Sequence, residues 1–527
     1  MRAALAGARR LGSACRGAPA TGRASSSLAA AAHGANQQVV RVPDGSVSAL
    51  TTPADFFSTL VERVAAARDR VSLVSLYVGD GPLEQQLMRA VSSCEADVLV
   101  AMDATRGRRA WPGAAPADFV WSTLAASPPT RSACLALLEH PAAGRWPRNR
   151  MGSGRLRESA GTQHIKAYAA DGWACVAGAN LSTDYFTGRQ DRYLVTDSPP
   201  LAGVYHAAAR LLAASPAAHT REAGATVTHE PAAVEQLTPG EEGRRLQTGL
   251  AAALEAACGE AAPQSEGAVP VSLAWQCGML GLRDDQARLE AVLAAAGEGW
   301  RVDVATGYCN MPDHMVGLLA AAARRGAAIR VLTASPAANG FLGARSIPAA
   351  LPLAYSLLLR AVARRLSAMG VLHAPSDDEP AASVPGRVSL VEWTHPLDHH
   401  WAEPRGAAGI GTRPPPDADG PARRTFHGKG LWVERGGEVL TAGGSSNFGC
   451  RSFDVDVELQ TWVGPVAAES ATGTSLLAER DALFAGEAAV PVGLRELEQP
   501  GRLPSTLSQY DTGQWVRAGA VLVRQWM

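Results

Sequence analysis
Only two lysines occur in the 527 residues, Lys166 and Lys429, and each stands two positions after a histidine, His164 and His427. Every other basic position is arginine or histidine. Arginine serves wherever a diffuse positive charge is enough. A retained lysine marks a place for a compact ammonium on a flexible stem, where a wide planar fork does not fit. A second echo follows each pair: Gly178-Ala179-Asn180 after the first, Gly444-Ser445-Ser446-Asn447 after the second. On a β-strand, positions i and i+2 face the same way. Each half is therefore expected to offer an imidazole and an ammonium from one strand, and an amide from a small-residue turn. Two such sets brought together would line a pocket for a phosphate or phosphodiester.

The surrounding sequence repeats as well. Val71 to Val78 reads as a buried strand ended by Gly79-Asp80-Gly81, Pro82 opens a helix, and Asp97 to Met102 reads as the next strand. The same order returns at Arg301–Tyr308, His314–Arg325 and Ala328–Thr333. This is an internal duplication of α/β units. We expect an α/β fold of two similar lobes, mixed sheets flanked by helices, that share one site at their interface. The first lobe should span 44–214 with its motif at about 158–184, and the second 269–527 with its motif at about 421–459 and a C-terminal extension. Residues 215–268, rich in Ala, Glu, Gly and Pro, read as the connection, with one amphipathic helix near 243–258.

The duplicated pattern resembles that of the phospholipase D superfamily, His-x-Lys-x4-Asp followed by Gly-Ser-x-Asn. The first copy matches through His164, Lys166, Asp171, Gly178 and Asn180, with Ala179 in place of Ser. The second departs further: Glu434 stands where Asp is expected, and Gly444 falls three residues late relative to the first copy. The stretches 178–193, 305–308, 334–341 and 426–432 look closer still to the CDP-diacylglycerol–glycerol-3-phosphate 3-phosphatidyltransferase branch, and the resemblance runs from about 50 to about 460.

That resemblance implies transfer of the phosphatidyl group of CDP-diacylglycerol to sn-glycerol 3-phosphate, with release of CMP and no cofactor or metal. It implies His164, Lys166, Asp171, His427 and Lys429 as catalytic residues, His164 being the nucleophile and His427 the acid/base. Asn180, Asn447 and Ser445 would hold the substrate phosphate. A carboxylate that orients each histidine is expected about fourteen residues after each motif glycine; Glu458 fits that spacing and Asp191 comes one short. Asp171 belongs to the motif, but its position suits holding the local fold.

Composition narrows the alternatives. A net charge of −1 and a pI of about 6.9 give no global electrostatic case for nucleic acid. The eight cysteines show no metal-ligand or disulfide spacing. Residues 1–43 carry six arginines with no acid before Asp44 and no apolar core, which reads as a mitochondrial transit peptide or as a disordered Arg/Ala leader. No run of 18 apolar residues suggests a spanning helix, so a peripheral place on the inner membrane is expected. The window 349–369, broken by Arg360, Arg364 and Arg365, reads either as a helix lying on an anionic membrane or as a core helix with a solvated edge. A run of arginines from Arg106 to Arg157 could dock an anionic substrate, or could be a solvated loop. Gly79-Asp80-Gly81 lacks the Gly-Lys-Ser/Thr of a P-loop and reads as a turn. Stretches 376–385 and 402–421 read as surface loops, and the apolar tail with Trp515 and Trp526 carries no assignable chemistry.

Neutral imidazole attacks and shuttles protons near pH 7, so two facing histidines can split one phosphodiester displacement into two. Three readings stand: a phosphatidyltransferase, a phosphodiesterase that uses water on a lipid or nucleic acid, and a binder of phosphorylated ligands without catalysis. Both complete His/Lys/Asn sets argue against the third, and the leader and the family-like stretches favour the first. From the chemistry alone the acceptor is not visible.

Overall fold
The computed structural model describes residues 28–33, 38–110, 115–126, 131–140, 158, 160–223, 238–260, 267–342, 350–375, 383–394, 424–484 and 488–499. In chain order the strands are β1 (Val40–Val42), β2 (Val47–Leu50), β3 (Arg70–Ser75), β4 (Asp97–Asp103), β5 (Ala133–Leu138), β6 (Ala167–Ala170) and β7 (Trp173–Ala177). They continue with β8 (Arg189–Gln190), β9 (Tyr193–Asp197), β10 (Ala218–Glu222), β11 (Val269–Cys277), β12 (Leu282–Arg283), β13 (Trp300–Thr306) and β14 (Ala328–Ala334). The last are β15 (Val388–Trp393), β16 (Thr425–Phe426), β17 (Gly430–Arg435), β18 (Glu438–Gly444), β19 (Glu458–Ala467) and β20 (Ala489–Val492).

The duplication is visible in the strand order. The first sheet runs β10-β5-β4-β3-β6-β7-β9-β2, and the second runs β20-β15-β14-β13-β17-β18-β19-β11. In each, three parallel strands are followed on one side by an antiparallel edge strand and on the other by an antiparallel meander. The parallel strands are almost wholly buried runs such as Arg70–Ser75 and Trp300–Thr306, as strands covered on both faces must be. Helices Pro82–Ser93 and Asp313–Arg324 make equivalent crossovers between the first two parallel strands. One apolar core joins the lobes: Ile165, Val176 and Leu201 of the first pack in the same cluster as Trp275, Leu459 and Val463 of the second.

Several expected boundaries move. The sheet of the first lobe continues past 214, because β10 pairs with β5. Leu28 and Ala32 are buried in the core of the second lobe, and His33 bonds to Ser272 there at 2.7 Å. β1 pairs with β11. The apolar end of the expected leader is therefore built into the second lobe, while residues 1–27 and 34–37 lie outside the described residues.

The 351–368 stretch is a core helix: Leu353, Leu358, Leu359, Val362 and Leu366 are buried, Arg364 pairs with Glu498 and Arg365 with Asp313. Of the arginine run, Arg106 and Arg109 pair with Glu158, Arg108 pairs with Glu139, and Arg131 caps backbone carbonyls of Ser92 and Ala96. Arg145 to Arg157, most of the two expected surface loops and the tail with Trp515 and Trp526 lie outside the described residues. Gly79-Asp80-Gly81 is a turn in which the Glu84 carboxylate fills the space above both glycines. Among the described residues no helix is long and apolar enough to cross a membrane.

Candidate active site
Neither His-x-Lys triplet lies within a strand. Each occupies the break between a short contact with the opposite lobe and the first strand of its own meander. Ahead of His164, Gln163 bridges to Val457, and the His164 N–H donates to the Val457 carbonyl at 2.9 Å. Ahead of His427, β16 pairs with β8 (Phe426 opposite Gln190), and the His427 N–H donates to the Gln190 carbonyl at 2.8 Å. Val457 and Gln190 immediately precede Glu458 and Asp191. The backbone thus sets each histidine beside a carboxylate of the other lobe.

The side chains complete the pairing. His164 Nδ1 lies 3.0 Å from both oxygens of Glu458, and His427 Nδ1 lies 2.7 Å from Asp191 Oδ2. A carboxylate acceptor holds the proton on Nδ1 and leaves the Nε2 lone pair available. The side chain of His164 is 15% exposed and that of His427 6%, while both carboxylates are fully buried.

Both lysines are fully buried and fold back on their own histidines, Lys166 Nζ donating to the His164 carbonyl and Lys429 Nζ to the His427 carbonyl at 2.8 Å. This inward turn explains why the triplets leave the regular pleat. Lys429 Nζ also rests against the imidazole, 3.1 Å from Nε2, and lies 3.9 Å from Asp191. A side chain at Gly178 would collide with Asp191 and Lys429 Nζ, so glycine is required by this close approach.

Burial dominates the electrostatics. It pushes Lys166 down to about 7, with Glu458 opposing and Lys429 adding to the fall. It pushes Lys429 down to about 8, with Asp191 opposing. It raises Asp191 to about 6 against the pull of Lys429. His427 is held well below the usual imidazole range by burial and then by Lys429, Arg189, Lys166 and His164; His164 is lowered by burial and Lys166, with Glu458 opposing. Cations of both lobes thus repel one another across one site, and this repulsion is what an arriving polyanion relieves.

Hairpin register corrects the motif alignment. Ala167 pairs with Val176 and Gly430 with Gly443, so Asn447 is the structural equivalent of Asn180, and Ser445, not Gly444, that of Gly178. The second hairpin is longer by two residues on each strand, an even extension that keeps the same faces inward. On this alignment Asp191 and Glu458 stand at equal spacings from their asparagines. One amide oxygen of Asn180 and one of Asn447 are buried with no hydrogen-bond partner among the described residues, a matched pair of polar groups suited to a ligand. Ser445 is engaged elsewhere: its hydroxyl accepts from the Leu459 N–H at 3.1 Å and pins the turn to β19.

Asp171 and Glu434 stand outside this cluster. Asp171 sits at the β6–β7 turn with φ 49° and accepts from the N–H groups of Arg68, Asp69 and Arg70, each at 2.9 Å. Glu434 remains inside the longer β17 and bonds Arg480 at 2.6 Å.

Other residues of the site carry little sequence signal. Arg192, next to Asp191, crosses into the second lobe to bond Glu479 at 2.9 and 3.0 Å, and lies 3.9 Å over Trp432. Tyr185 and Tyr308 meet the His427 ring edge-on at 5.2 and 5.5 Å. His164, Asp456 and Glu458 cluster closely enough to hold a metal ion. However, Asp456 is bonded to Arg451 at 2.7 and 2.8 Å and to Thr162 at 2.9 and 3.0 Å, and Glu458 is bonded to His164.

No family model matches the chain. It is 27% identical over 502 residues to the mitochondrial CDP-diacylglycerol–glycerol-3-phosphate 3-phosphatidyltransferase of Mus musculus, an alignment covering 88% of this chain and 81% of that one. It is 26% identical over 508 residues to the Homo sapiens protein of the same name, with the same coverage. A protein from Saccharomyces pastorianus with the same enzyme name is 31% identical over 164 residues, 30% of this chain and 31% of that one. The crystal structure of phosphatidylserine synthase from Haemophilus influenzae Rd KW20 superposes with a TM-score of 0.65 at 16% identity, over 93% of this chain and 98% of that one. That likeness shows the fold, two phospholipase D-like α/β lobes.

Proposed function
We propose, from its similarity to mitochondrial CDP-diacylglycerol–glycerol-3-phosphate 3-phosphatidyltransferases, that the chain transfers the phosphatidyl group of CDP-diacylglycerol to sn-glycerol 3-phosphate, giving phosphatidylglycerophosphate and CMP. The observation that carries this reading is the reciprocal pairing of His164 with Glu458 and of His427 with Asp191. It turns the Nε2 atom of each imidazole to the reaction, His164 Nε2 to attack phosphorus and His427 Nε2, beside Lys429 Nζ, to move a proton.

In the mechanism we propose, His164 Nε2 attacks the phosphatidyl phosphorus. The bond from phosphorus to the CMP oxygen breaks, and His427 protonates the departing CMP. Neutral His427 then takes the proton of a glycerol 3-phosphate hydroxyl, whose oxygen attacks the same phosphorus and releases His164. Burial lowers both imidazoles most and neighbouring cations lower them further; the negative diphosphate offsets the cationic part, which favours protonated His427 with substrate in place. Lys166, Lys429, Asn180 and Asn447 stabilise charge on the phosphoryl oxygens. No step calls for a cofactor or metal. His164 is assigned as nucleophile by family resemblance, and its greater exposure suits that role.

By analogy with the mitochondrial relatives we place the protein in mitochondria, held peripherally on the inner membrane, where its lipid substrate resides. Purified protein given CDP-diacylglycerol and labelled glycerol 3-phosphate should form phosphatidylglycerophosphate and CMP without added nucleoside triphosphate. Phosphatidic acid as sole product, unaffected by glycerol 3-phosphate, would move the protein to the hydrolase reading.

A further inference from the structure
The two lobes differ at one matched place. Lys166 and Lys429 fix the correspondence, because the residues after them, Ala167 and Gly430, pair with Val74 of β3 and Ala305 of β13. Counting along the parallel strands, Met102 and Leu137 of the first lobe face each other at the register where the second lobe has Thr333 and Glu392. Leu76 likewise corresponds to Gly307. The first lobe has apolar side chains, Leu76, Met102 and Leu137, at these three positions. The second lobe leaves a narrow, partly open cleft there.

This cleft abuts the catalytic centre. A side chain at Gly307 would lie 3.0 Å from His427 Cα and 3.4 Å from its ring. Gly307, Thr333, Asn339, Tyr355, Ser356 and Glu392 line the cleft, and Glu392 is 6% exposed. Tyr355 stacks on Tyr308 at 4.7 Å, and Tyr308 meets the His427 ring. The C-terminal edge of parallel strands is where open α/β sheets hold ligands. Since the first lobe folds with apolar residues at these positions, the polar lining of the second is not a requirement of the fold.

We propose that this cleft holds the cytosine ring of the nucleotide leaving group and that Glu392 accepts its exocyclic amino group, a specificity role that rests on the transfer reaction proposed above. A carboxylate is a poor neighbour for the phosphate of glycerol 3-phosphate and a good acceptor for a base amino group. It keeps lone pairs for that bond beside any it already makes. Uracil presents a carbonyl oxygen at the same ring position, which the carboxylate repels. The aromatic wall at Tyr355 offers a face for the ring. The place also suits the reaction, because His427 is the group that protonates departing CMP.

The test is a pair of binding titrations with CMP and UMP on the full chain, in wild type and E392Q, with circular dichroism to check the fold. Wild type should bind CMP about 10-fold or more tighter than UMP. E392Q should lose most of that preference, because a side-chain amide can face either base. T333M, which borrows the residue of the first lobe, is a second variant and should weaken CMP in proportion as it closes the cleft. An undiminished CMP preference in a folded E392Q overturns the proposal. So does a rise in KM for glycerol 3-phosphate in E392Q with CMP binding untouched. A wild type that forms no phosphatidylglycerophosphate, yet distinguishes CMP from UMP through Glu392, retires the transfer reaction and keeps the cytosine site.

Discussion
Glu458 accepts from His164 Nδ1 at 3.0 Å across the boundary between the lobes, and the backbone beside them is paired as well, Gln163 with Val457. The imidazole of one lobe is therefore oriented by the carboxylate of the other, and neither half contains a complete site. E458Q keeps the shape but presents an amide that can donate, which favours the wrong tautomer. We expect kcat to fall by about 10²-fold or more with folding intact. D191N should do the same through His427. Near-normal turnover in either variant would reduce these contacts to structure.

The lysines can be tested by the replacement the rest of the chain accepts. Lys166 and Lys429 are fully buried, and Lys429 Nζ lies where a side chain on Gly178 would have to go. K166R and K429R keep the charge and change its shape. Each should lose about 10²-fold or more in kcat, as when a charge-stabilising donor is removed. Turnover close to wild type would show that compactness does not matter there.

The pH profile follows from the shifted groups. As pH rises, Lys166 loses its proton at about 7 and Lys429 at about 8, so kcat/KM should decline between those values. As pH falls, Asp191 takes a proton at about 6 and stops orienting His427, which gives an acid limb there. Stability moves differently. Lys166 binds its proton less tightly folded than in its ordinary state at 10.5. The unfolded chain thus holds more protons from about pH 7 to 10.5, and stability should rise with pH across that window. Denaturation midpoints should show this rise in wild type, and K166M should reduce it to the part that Lys429, lowered to about 8, contributes. A midpoint independent of pH in wild type would sink the argument.

Asp171 separates what the sequence conveys from what it does not. Its motif position suggests catalysis, yet its carboxylate gathers three backbone N–H groups away from the imidazoles. D171A should cost about 1–3 kcal/mol of stability and leave kcat of the folded enzyme nearly unchanged. A kcat loss like that of the lysine variants would contradict this. Histidines, lysines and asparagines were legible because few residue types do their chemistry and because duplication repeats the pattern. The duplicated strand order was legible for the same reason. The crossed pairing was not, because the contact from residue 163 to 457 lies far beyond any local spacing. The hairpin lengths were also hidden: only the register shows that Ser445 matches Gly178 and that Asp191 is not one residue short. Arg192 with Glu479 gave no signal, since a lone Arg in an arginine-rich chain reads as surface.

The remaining prediction concerns the order of events. If His164 Nε2 forms a phosphatidyl-histidine, CMP leaves before glycerol 3-phosphate is needed, and the kinetics should be ping-pong. Wild type should then exchange labelled CMP into CDP-diacylglycerol with no acceptor present. H164A removes the only atom that can carry the intermediate under this assignment, so its exchange should vanish. H427A retains the nucleophile but leaves CMP without its proton donor. Exchange should slow strongly, while trapped phospho-histidine on His164 can still accumulate, since CMP is a moderately good leaving group. Exchange that survives H164A but not H427A keeps the two-step scheme and reverses the roles of the two histidines. No exchange in active wild type, together with inversion at a chiral phosphorus, would mean direct in-line transfer. The two imidazoles would then serve as acid and base in a single displacement.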